Sequence, residues 1–119
     1  MDRTKYKSFN GVKASLDNLR EDEGDDFYVN EDKLAQLEHD CELIDKIIRA
    51  LPDCSGMSYD IDDNHRGLVI NIFTGYFEDF EIKDELVELI HDSDEVVFEG
   101  VDGRTVSVEF FFNGVWGLK

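Results

Sequence analysis

The sequence predicts a single α+β domain, in which an antiparallel four-stranded sheet carries two helices on one face in the order αββαββ. A short N-terminal helix or arm precedes it. Residues 34–51 space their apolar side chains as one helix face does, and residues 67–75 alternate as a strand does. A second helix pattern and a second hairpin pattern then follow in the same order. Packing both helices on one face buries the apolar sides of all six elements.

Residues 1–30 are predicted to form a basic arm or short helix followed by an acidic loop, ahead of the αββαββ domain at residues 31–119. Residues 1–20 contain five Lys or Arg and two acids. They either fold back on the acidic body, form a mobile basic tail, or make an ordinary first helix. The segment EDEGDD, residues 21–26, has the composition of a solvated loop. The apolar helix positions before it are Phe9, Val12, Leu16 and Leu19.

A long helix is predicted over residues 31–51. Asn30 suits the N-cap position, and acids directly after it favour the positive end of the helix dipole. Pro52 ends the helix. The apolar stripe, too short for a coiled coil and so assigned to the core, is Leu34, Leu37, Cys41, Ile44, Ile48 and Leu51. The acids expected on the outer side are Glu31, Glu38, Glu42 and Asp45.

The first hairpin is predicted over residues 57–74. Its first strand alternates apolar and polar residues, which is typical of a strand with one buried face. The second strand, GLVINIFTG, has apolar residues on both sides of the backbone. Those on one side are Leu68, Ile70 and Ile72, and those on the other are Val69 and Phe73. We therefore expect a central strand that is covered on both faces.

A second helix is predicted near residues 79–92, after Tyr76 and Phe77. Its apolar stripe comprises Ile82, Leu86, Leu89 and Ile90. Its polar side is acidic and comprises Glu81, Asp84, Glu85, Glu88 and Asp92.

A second hairpin is predicted near residues 96–113, and its register has two solutions. Asp102–Gly103 favours a tight turn, because this pair readily adopts positive φ. A two-residue loop places Phe98 opposite Ser107. One extra loop residue places Phe98 opposite Val108, which buries more apolar surface.

The two halves of the αββαββ unit resemble each other. A gapless offset of 39 residues places Asp53 on Asp92 and Phe73 on Phe112, and it repeats the order of helix and strands. Either the domain contains an internal repeat, or any two helix–hairpin units share such a pattern by chance.

The chain is strongly acidic, with 29 Asp and Glu against 12 Lys and Arg and a net charge of −17. Hydrophobic residues still make up 41% of the chain, which is too many for a disordered acidic tail. Self-repulsion of this size opposes a compact state. The excess serves either solubility, in an ordinary or a salt-rich habitat, or the binding of a basic partner. We favour a basic partner, because solubility alone rarely requires so large an excess.

No catalytic motif is present, so we expect neither an enzyme nor a cofactor. The sequence lacks a nucleophile elbow, a Gly-rich phosphate loop and an HExxH motif. Residues 39–42, His-Asp-Cys-Glu, carry four metal-binding groups, but neighbours on a helix point in different directions, so no metal site is expected. Cys41 and Cys54 lack CxxC spacing, and we expect reduced thiols in the cytoplasm. Neither a signal peptide nor a membrane-spanning segment is expected.

In size, acidity and single-domain build, the chain resembles small phage-encoded inhibitors, the anti-CRISPR and anti-restriction proteins. The resemblance lies in composition over the whole chain, and no motif carries a residue role across. It implies an inhibitor that occupies the basic groove of a nuclease or defence complex in place of a nucleic acid, because such a groove releases counterions to whichever polyanion fills it. The acidic body is not expected to bind nucleic acid directly, since phosphates require a positive face.

The partner-binding surface is predicted where exposed acids are densest. One group lies in the acidic segment before the long helix and comprises Glu21, Asp22, Glu23, Asp25 and Asp26. The other surrounds the second helix and comprises Glu78, Asp79, Glu81, Asp84, Glu85 and Glu88.

Two alternative functions stay open. The chain is either an antitoxin or immunity protein that neutralises a basic toxin by the same electrostatics, or a housekeeping protein–protein adaptor. A domain that assembles with itself through a sheet edge belongs to the adaptor class, and the sequence does not set the oligomeric state.

Overall fold

The computed structural model describes residues 8–52, 55–75, 84–100 and 106–119. Within these ranges the fold is α+β, as predicted, with a four-stranded and a two-stranded antiparallel sheet. The helices are α1 (Ser8–Glu23), α2 (Glu31–Ala50) and α3 (Asp84–Asp92). The strands are β1 (Phe27–Val29), β2 (Gly56–Asp62), β3 (Gly67–Thr74), β4 (Glu95–Gly100), β5 (Val106–Phe112) and β6 (Trp116–Leu118). In these ranges, no helix combines the length and the apolar content needed to cross a membrane.

Helix α2 is the middle helix of the layer that covers the sheet. The Asn30 side chain caps it by accepting a hydrogen bond from the Lys33 amide, as predicted. On one flank, the Ser8 amide of α1 donates to Asp45. On the other flank, Gln36 donates to Asp92 of α3. Because 3.6 residues make one turn, positions 36 and 45 point to opposite sides, so α1 and α3 flank α2.

Asp45 was predicted on the outer side of α2, and this placement is wrong. The side chain is only 6% exposed, because α1 covers that flank of α2. The Ser8 amide donates to its Oδ1 over 2.9 Å, and the Ser8 hydroxyl donates to the Cys41 carbonyl over the same distance. These two bonds satisfy the first residue of α1 inside the protein.

The four-stranded sheet has the order β2-β3-β5-β4, and every neighbouring pair is antiparallel. β3 is central, as its apolar pattern predicts. In the second hairpin Phe98 pairs with Val108, so the register with the extra loop residue is confirmed. The Asp102–Gly103 turn itself lies outside the described residues.

The two faces of the sheet differ in burial. On the face toward the helices, Leu68, Ile70 and Ile72 are fully buried. On the outer face, Val69 and Phe73 are partly exposed, so the prediction of cover on both faces is not met for these residues. β3 is therefore a central strand of a sheet whose main core lies on one side.

The gapless 39-residue repeat is wrong, although a repeat in the broader sense fits the topology. An offset of 39 carries Tyr59 of β2 onto Phe98 of β4, on the same face of the sheet. The same offset carries Ile70 of β3, which is buried, onto Glu109 on the outer face of β5. An offset of 38 instead carries Ile70 onto Val108, which is also buried.

The difference between the offsets of 39 and 38 residues follows from the strand pairing in the two hairpins. Tyr59 pairs with Ile70, and Phe98 pairs with Val108. One residue fewer separates the second pair than the first. Because side chains alternate along a strand, that single residue exchanges the buried and exposed faces.

From residue 8 onward, the N-terminal region adopts the ordinary first helix, one of the three alternatives left open by the sequence. Val12 and Leu16 of α1 are buried in the common core, so residues 8–23 form a first helix. The acidic segment at 21–26 is not a loop: its first three residues complete α1, and residues 24–26 form a 3₁₀ turn. Gly24 has φ +75, which an L side chain rarely adopts, and this turn leads the chain into β1.

The β1–β6 sheet was not predicted, because both strands are three residues long and neither alternates visibly. Val29 pairs with Trp116, and the Trp116 ring stacks on Phe27 at 5.9 Å. The indole Nε1 donates to the Gly67 carbonyl over 3.0 Å, which ties β6 to the start of β3. The C-terminal residues thus join the entry to α2 with the main sheet.

Candidate functional site

The predicted acids at the end of α1 are all exposed. Glu21, Asp22 and Glu23 lie on the last turn of α1, and Asp25 and Asp26 lie in the 3₁₀ turn that follows. Carboxylates are unfavourable at the negative end of a helix dipole. The helix persists there because buried Phe27 anchors the following strand, and Arg20 lies 5.5 Å from the centre of the Phe27 ring.

The predicted acids around the second helix are described only from Asp84 onward. Asp84 and Glu88 are exposed, and Glu85 is partly exposed. Glu78, Asp79 and Glu81 lie outside the described residues, as do Tyr76 and Phe77.

The helix arrangement places the predicted acids at the end of α1 beside the first turn of α2. α1 runs antiparallel to α2, since Ser8 meets Asp45, so the end of α1 lies beside the start of α2. α3 also runs antiparallel to α2, since Gln36 meets Asp92 while His39 meets Glu88. We name the first of these regions the acidic end; it comprises residues 21–26, Glu31 and Asp32, whereas Glu88 lies farther along α2, beside His39.

The remaining predicted acids lie elsewhere in the layer. Asp84 and Glu85 begin α3 and therefore point toward the opposite end of α2. α2 has three exposed cations: Lys33 lies on its first turn, next to Glu31 and Asp32, whereas Lys46 and Arg49 lie in its second half. The exposed residues of the first half of α2 thus have a net negative charge despite Lys33, and those of its second half do not.

No carboxylate of the described residues forms an ion pair with Lys or Arg. Within the described ranges, the recorded ion pairs all involve histidine: His39 with Glu88, His65 with Asp62, and His91 with Asp92. Several cations contact aromatic rings instead: Lys13 lies over Phe9, Arg20 over Phe27, and Arg66 over Trp116. Among the residues that the structure describes, no Lys or Arg therefore forms an ion pair at the acidic end.

A second cluster lies between α2 and α3. One ligand atom each from His39, Asp40 and Asp92 falls within 4.8 Å of the others. His39 Nε2 lies 3.2 Å from Glu88 Oε2, and Gln36 Nε2 donates to Asp92 Oδ2 over 2.9 Å. We name His39, Asp40, Glu88 and Asp92 the α2–α3 cluster.

Asp40 is the unusual member of this cluster. Its side chain is 0% exposed, and neither carboxylate oxygen has a hydrogen-bond partner. Burial, and next the neighbouring Asp92 carboxylate, raise the pKa of Asp40 from 3.8 to about 8. Removal from water disfavours the charged form, and a nearby negative charge adds to that effect.

Sequence reasoning identified half of the α2–α3 cluster and dismissed it. As argued there, residues 39–42 do not all converge: Cys41 points into the core and Glu42 is exposed. Burial raises the pKa of the Cys41 thiol to about 12, so it is not a ready metal ligand. The sequence gives no sign that α3 places Asp92 and Glu88 next to His39 and Asp40. Only the packing of α3 against α2 shows this.

Comparison with known proteins finds no relative of this chain at a significant level: no protein-family model matches it, and neither does any curated protein or solved structure. No residue role therefore transfers to this chain from another protein.

Proposed function

We propose that this protein is an acidic inhibitor that acts by binding, not by catalysis. Its acidic end occupies the basic, nucleic-acid-binding groove of a partner nuclease or defence complex. The observation that carries the proposal is the dense set of exposed carboxylates at the acidic end, none of which has a Lys or Arg ion pair among the described residues.

Concentrating negative charge in one region of the surface costs free energy. A surface that serves only solubility can avoid this cost by mixing cations with the acids. Like charges on neighbouring turns repel, and interspersed cations relieve that repulsion. The chain has 12 Lys and Arg, yet the described ones do not pair with these acids. A basic partner would remove the repulsion on binding, which is why concentrated charge favours association.

The helix surface is a better candidate than the outer face of the sheet. The outer face also carries exposed acids, Asp60, Glu95 and Glu99, but apolar Val69 and Phe73 lie among them. A nucleic acid backbone is a continuous line of charge with no apolar residues in it. The acids of residues 21–32, on the last turn of α1, the turn after it and the first turn of α2, are closer together in the chain and more numerous, with exposed Tyr28 among them.

The test is inhibition of purified RNA-guided nucleases and restriction complexes, measured as loss of DNA binding at several salt concentrations. Inhibition should be competitive with nucleic acid and should weaken steeply as salt rises, because exposed charges are screened over about 8 Å at physiological ionic strength. Binding alongside nucleic acid, or an affinity that ignores salt, would contradict the proposal.

Matched variants locate the surface. The triple variant Glu21→Gln, Asp22→Asn and Glu23→Gln removes three charges from the acidic end with little change in shape. The triple variant Asp60→Asn, Glu95→Gln and Glu99→Gln removes three charges from the outer sheet face. The first should slow association and weaken inhibition, whereas the second should change it little. Equal effects would mean that net charge matters and that the acidic end does not.

A further inference from the structure

The buried carboxyl group of Asp40 has no hydrogen bond of standard geometry among the described residues, although Asp92 and Gln36 lie close to it. Burying a charged group without compensation is strongly unfavourable, so buried acids are normally hydrogen-bonded, paired or bound to a metal. Asp40 is 0% exposed and both of its oxygens are unpartnered. The groups closest in character are a second carboxylate, Asp92, and an imidazole, His39, all within 4.8 Å.

We propose that His39, Asp40 and Asp92 bind one Zn²⁺ ion and that Glu88 completes the site. A cation would compensate Asp40 and would also join two carboxylates that otherwise repel. One imidazole with several carboxylates is a donor set that suits Zn²⁺ and related first-row ions. This site is independent of the proposed function.

The spacing of the groups suits such an ion. Zn²⁺ holds nitrogen and oxygen ligands at about 2.0–2.2 Å, so neighbouring ligands in a tetrahedral site lie about 3.3 Å apart. His39 Nε2 and Glu88 Oε2 already lie 3.2 Å apart. The ligand atoms of His39, Asp40 and Asp92 lie within 4.8 Å of one another, so each pair must close by at most about 1.5 Å to reach this spacing.

The helices supply both the ligands and their support. Glu88 and Asp92 are four residues apart on α3, so they share one helix face. Gln36 donates to Asp92 Oδ2 and leaves the other oxygen for the ion, although His91 Nδ1 lies 3.5 Å from that oxygen. Hydrogen bonds of this kind orient metal ligands. A bound ion would link α2 directly to α3.

The test begins with the full chain stripped by chelator and titrated calorimetrically with Zn²⁺, Mn²⁺, Ca²⁺ or Mg²⁺. We expect one Zn²⁺ per chain, with Ca²⁺ and Mg²⁺ at least about tenfold weaker, because an imidazole ligand disfavours hard cations. The imidazole nitrogen resonance of His39 should shift on Zn²⁺ addition. Several equivalent weak sites, or no binding, would overturn the proposal.

Variants separate a built site from general acidity. His39→Gln and Asp40→Asn should each weaken Zn²⁺ binding by at least about tenfold. His65→Gln is the matched control, because His65 Nδ1 lies 2.8 Å from Asp62 in a histidine–carboxylate pair outside the cluster. The control should bind as the wild type does.

Two outcomes would refute the site. If His65→Gln weakens binding as much as His39→Gln, the ion binds surface histidines without a defined site. If Asp40→Asn binds as the wild type does, Asp40 shares a proton with Asp92 and does not hold a metal. His39 is half exposed, so His39→Gln will fold and decides the question even if Asp40→Asn does not fold.

Discussion

Replacing Gly67 with alanine tests how closely β3 approaches the chain that leaves β5. A Cβ at position 67 would collide with the Phe112 carbonyl oxygen and would lie 2.7 Å from the carbonyl carbon of Phe112 and 2.9 Å from Asn113 Cα. These are backbone atoms, so no change of rotamer relieves the overlap. The two segments must move apart.

We expect Gly67→Ala to lower the free energy of unfolding strongly, because moving the two segments apart weakens several contacts at once. Forced overpacking costs about 1–3 kcal/mol. Moving the Gly67 carbonyl weakens its hydrogen bond from Trp116, worth about 1 kcal/mol. It also disturbs the stacking of Trp116 on Phe27, worth about 0.5–1.5 kcal/mol. Gly67→Ala should therefore lower the free energy of unfolding by about 3–5 kcal/mol, a large part of the total for a small domain.

Urea unfolding followed by the fluorescence of Trp116, the single tryptophan, measures this loss. Gly100→Ala is the matched control. Gly100 lies on edge strand β4, where no described atom would come within 4 Å of an added Cβ. The free energy of unfolding of Gly100→Ala should be unchanged or higher by up to about 1 kcal/mol, because alanine restricts the conformations of the unfolded chain. A difference between the two variants below about 1 kcal/mol would refute the close approach.

Three further predictions follow from burial and charge. Ile70→Ala and Phe112→Ala should each lower the free energy of unfolding by about 2–5 kcal/mol in the same assay, and losses below about 0.5 kcal/mol at both would mean that the sheet is wrongly placed. The pKa of Asp40 is raised from 3.8 to about 8, so between these pH values the folded state keeps a proton that the unfolded state loses. Without metal, the free energy of unfolding of the wild type, compared with that of Asp40→Asn, should therefore fall as pH rises from about 4 to about 8. A difference that does not change with pH would contradict the raised pKa. The pKa of Cys41 is about 12, so its thiol should resist alkylation at pH 8 until the protein unfolds, which peptide mass spectrometry measures.

The sequence predicted what depends on neighbouring residues. The N-cap at Asn30 and the alternation in β2 and β3 act over a few residues, so the pattern reports them directly. The pairing of Phe98 with Val108 was also within reach, because it is the register that buries more apolar surface. Local signals and burial together account for the four-stranded sheet.

What the sequence did not predict depends on packing between distant segments. Asp45 lies outside the apolar stripe of α2, as an exposed residue would, and it is buried only because α1 packs against that flank of the helix. Asp40 likewise needs α3 before it meets Asp92. A single sequence carries no periodic signal for such contacts, since both partners look polar on their own element.

We expect the pairing of β1 with β6 to form late in folding. Two three-residue strands are not stable apart, and Phe27 pairs with Leu118 from the other end of the described chain. Closing so long a loop is entropically costly and slow. On the ribosome, β1 is made early and has no partner until residues 116–118 emerge from the exit tunnel. Trp116 fluorescence would therefore report the final stage of folding, after the earlier helices and hairpins have collapsed.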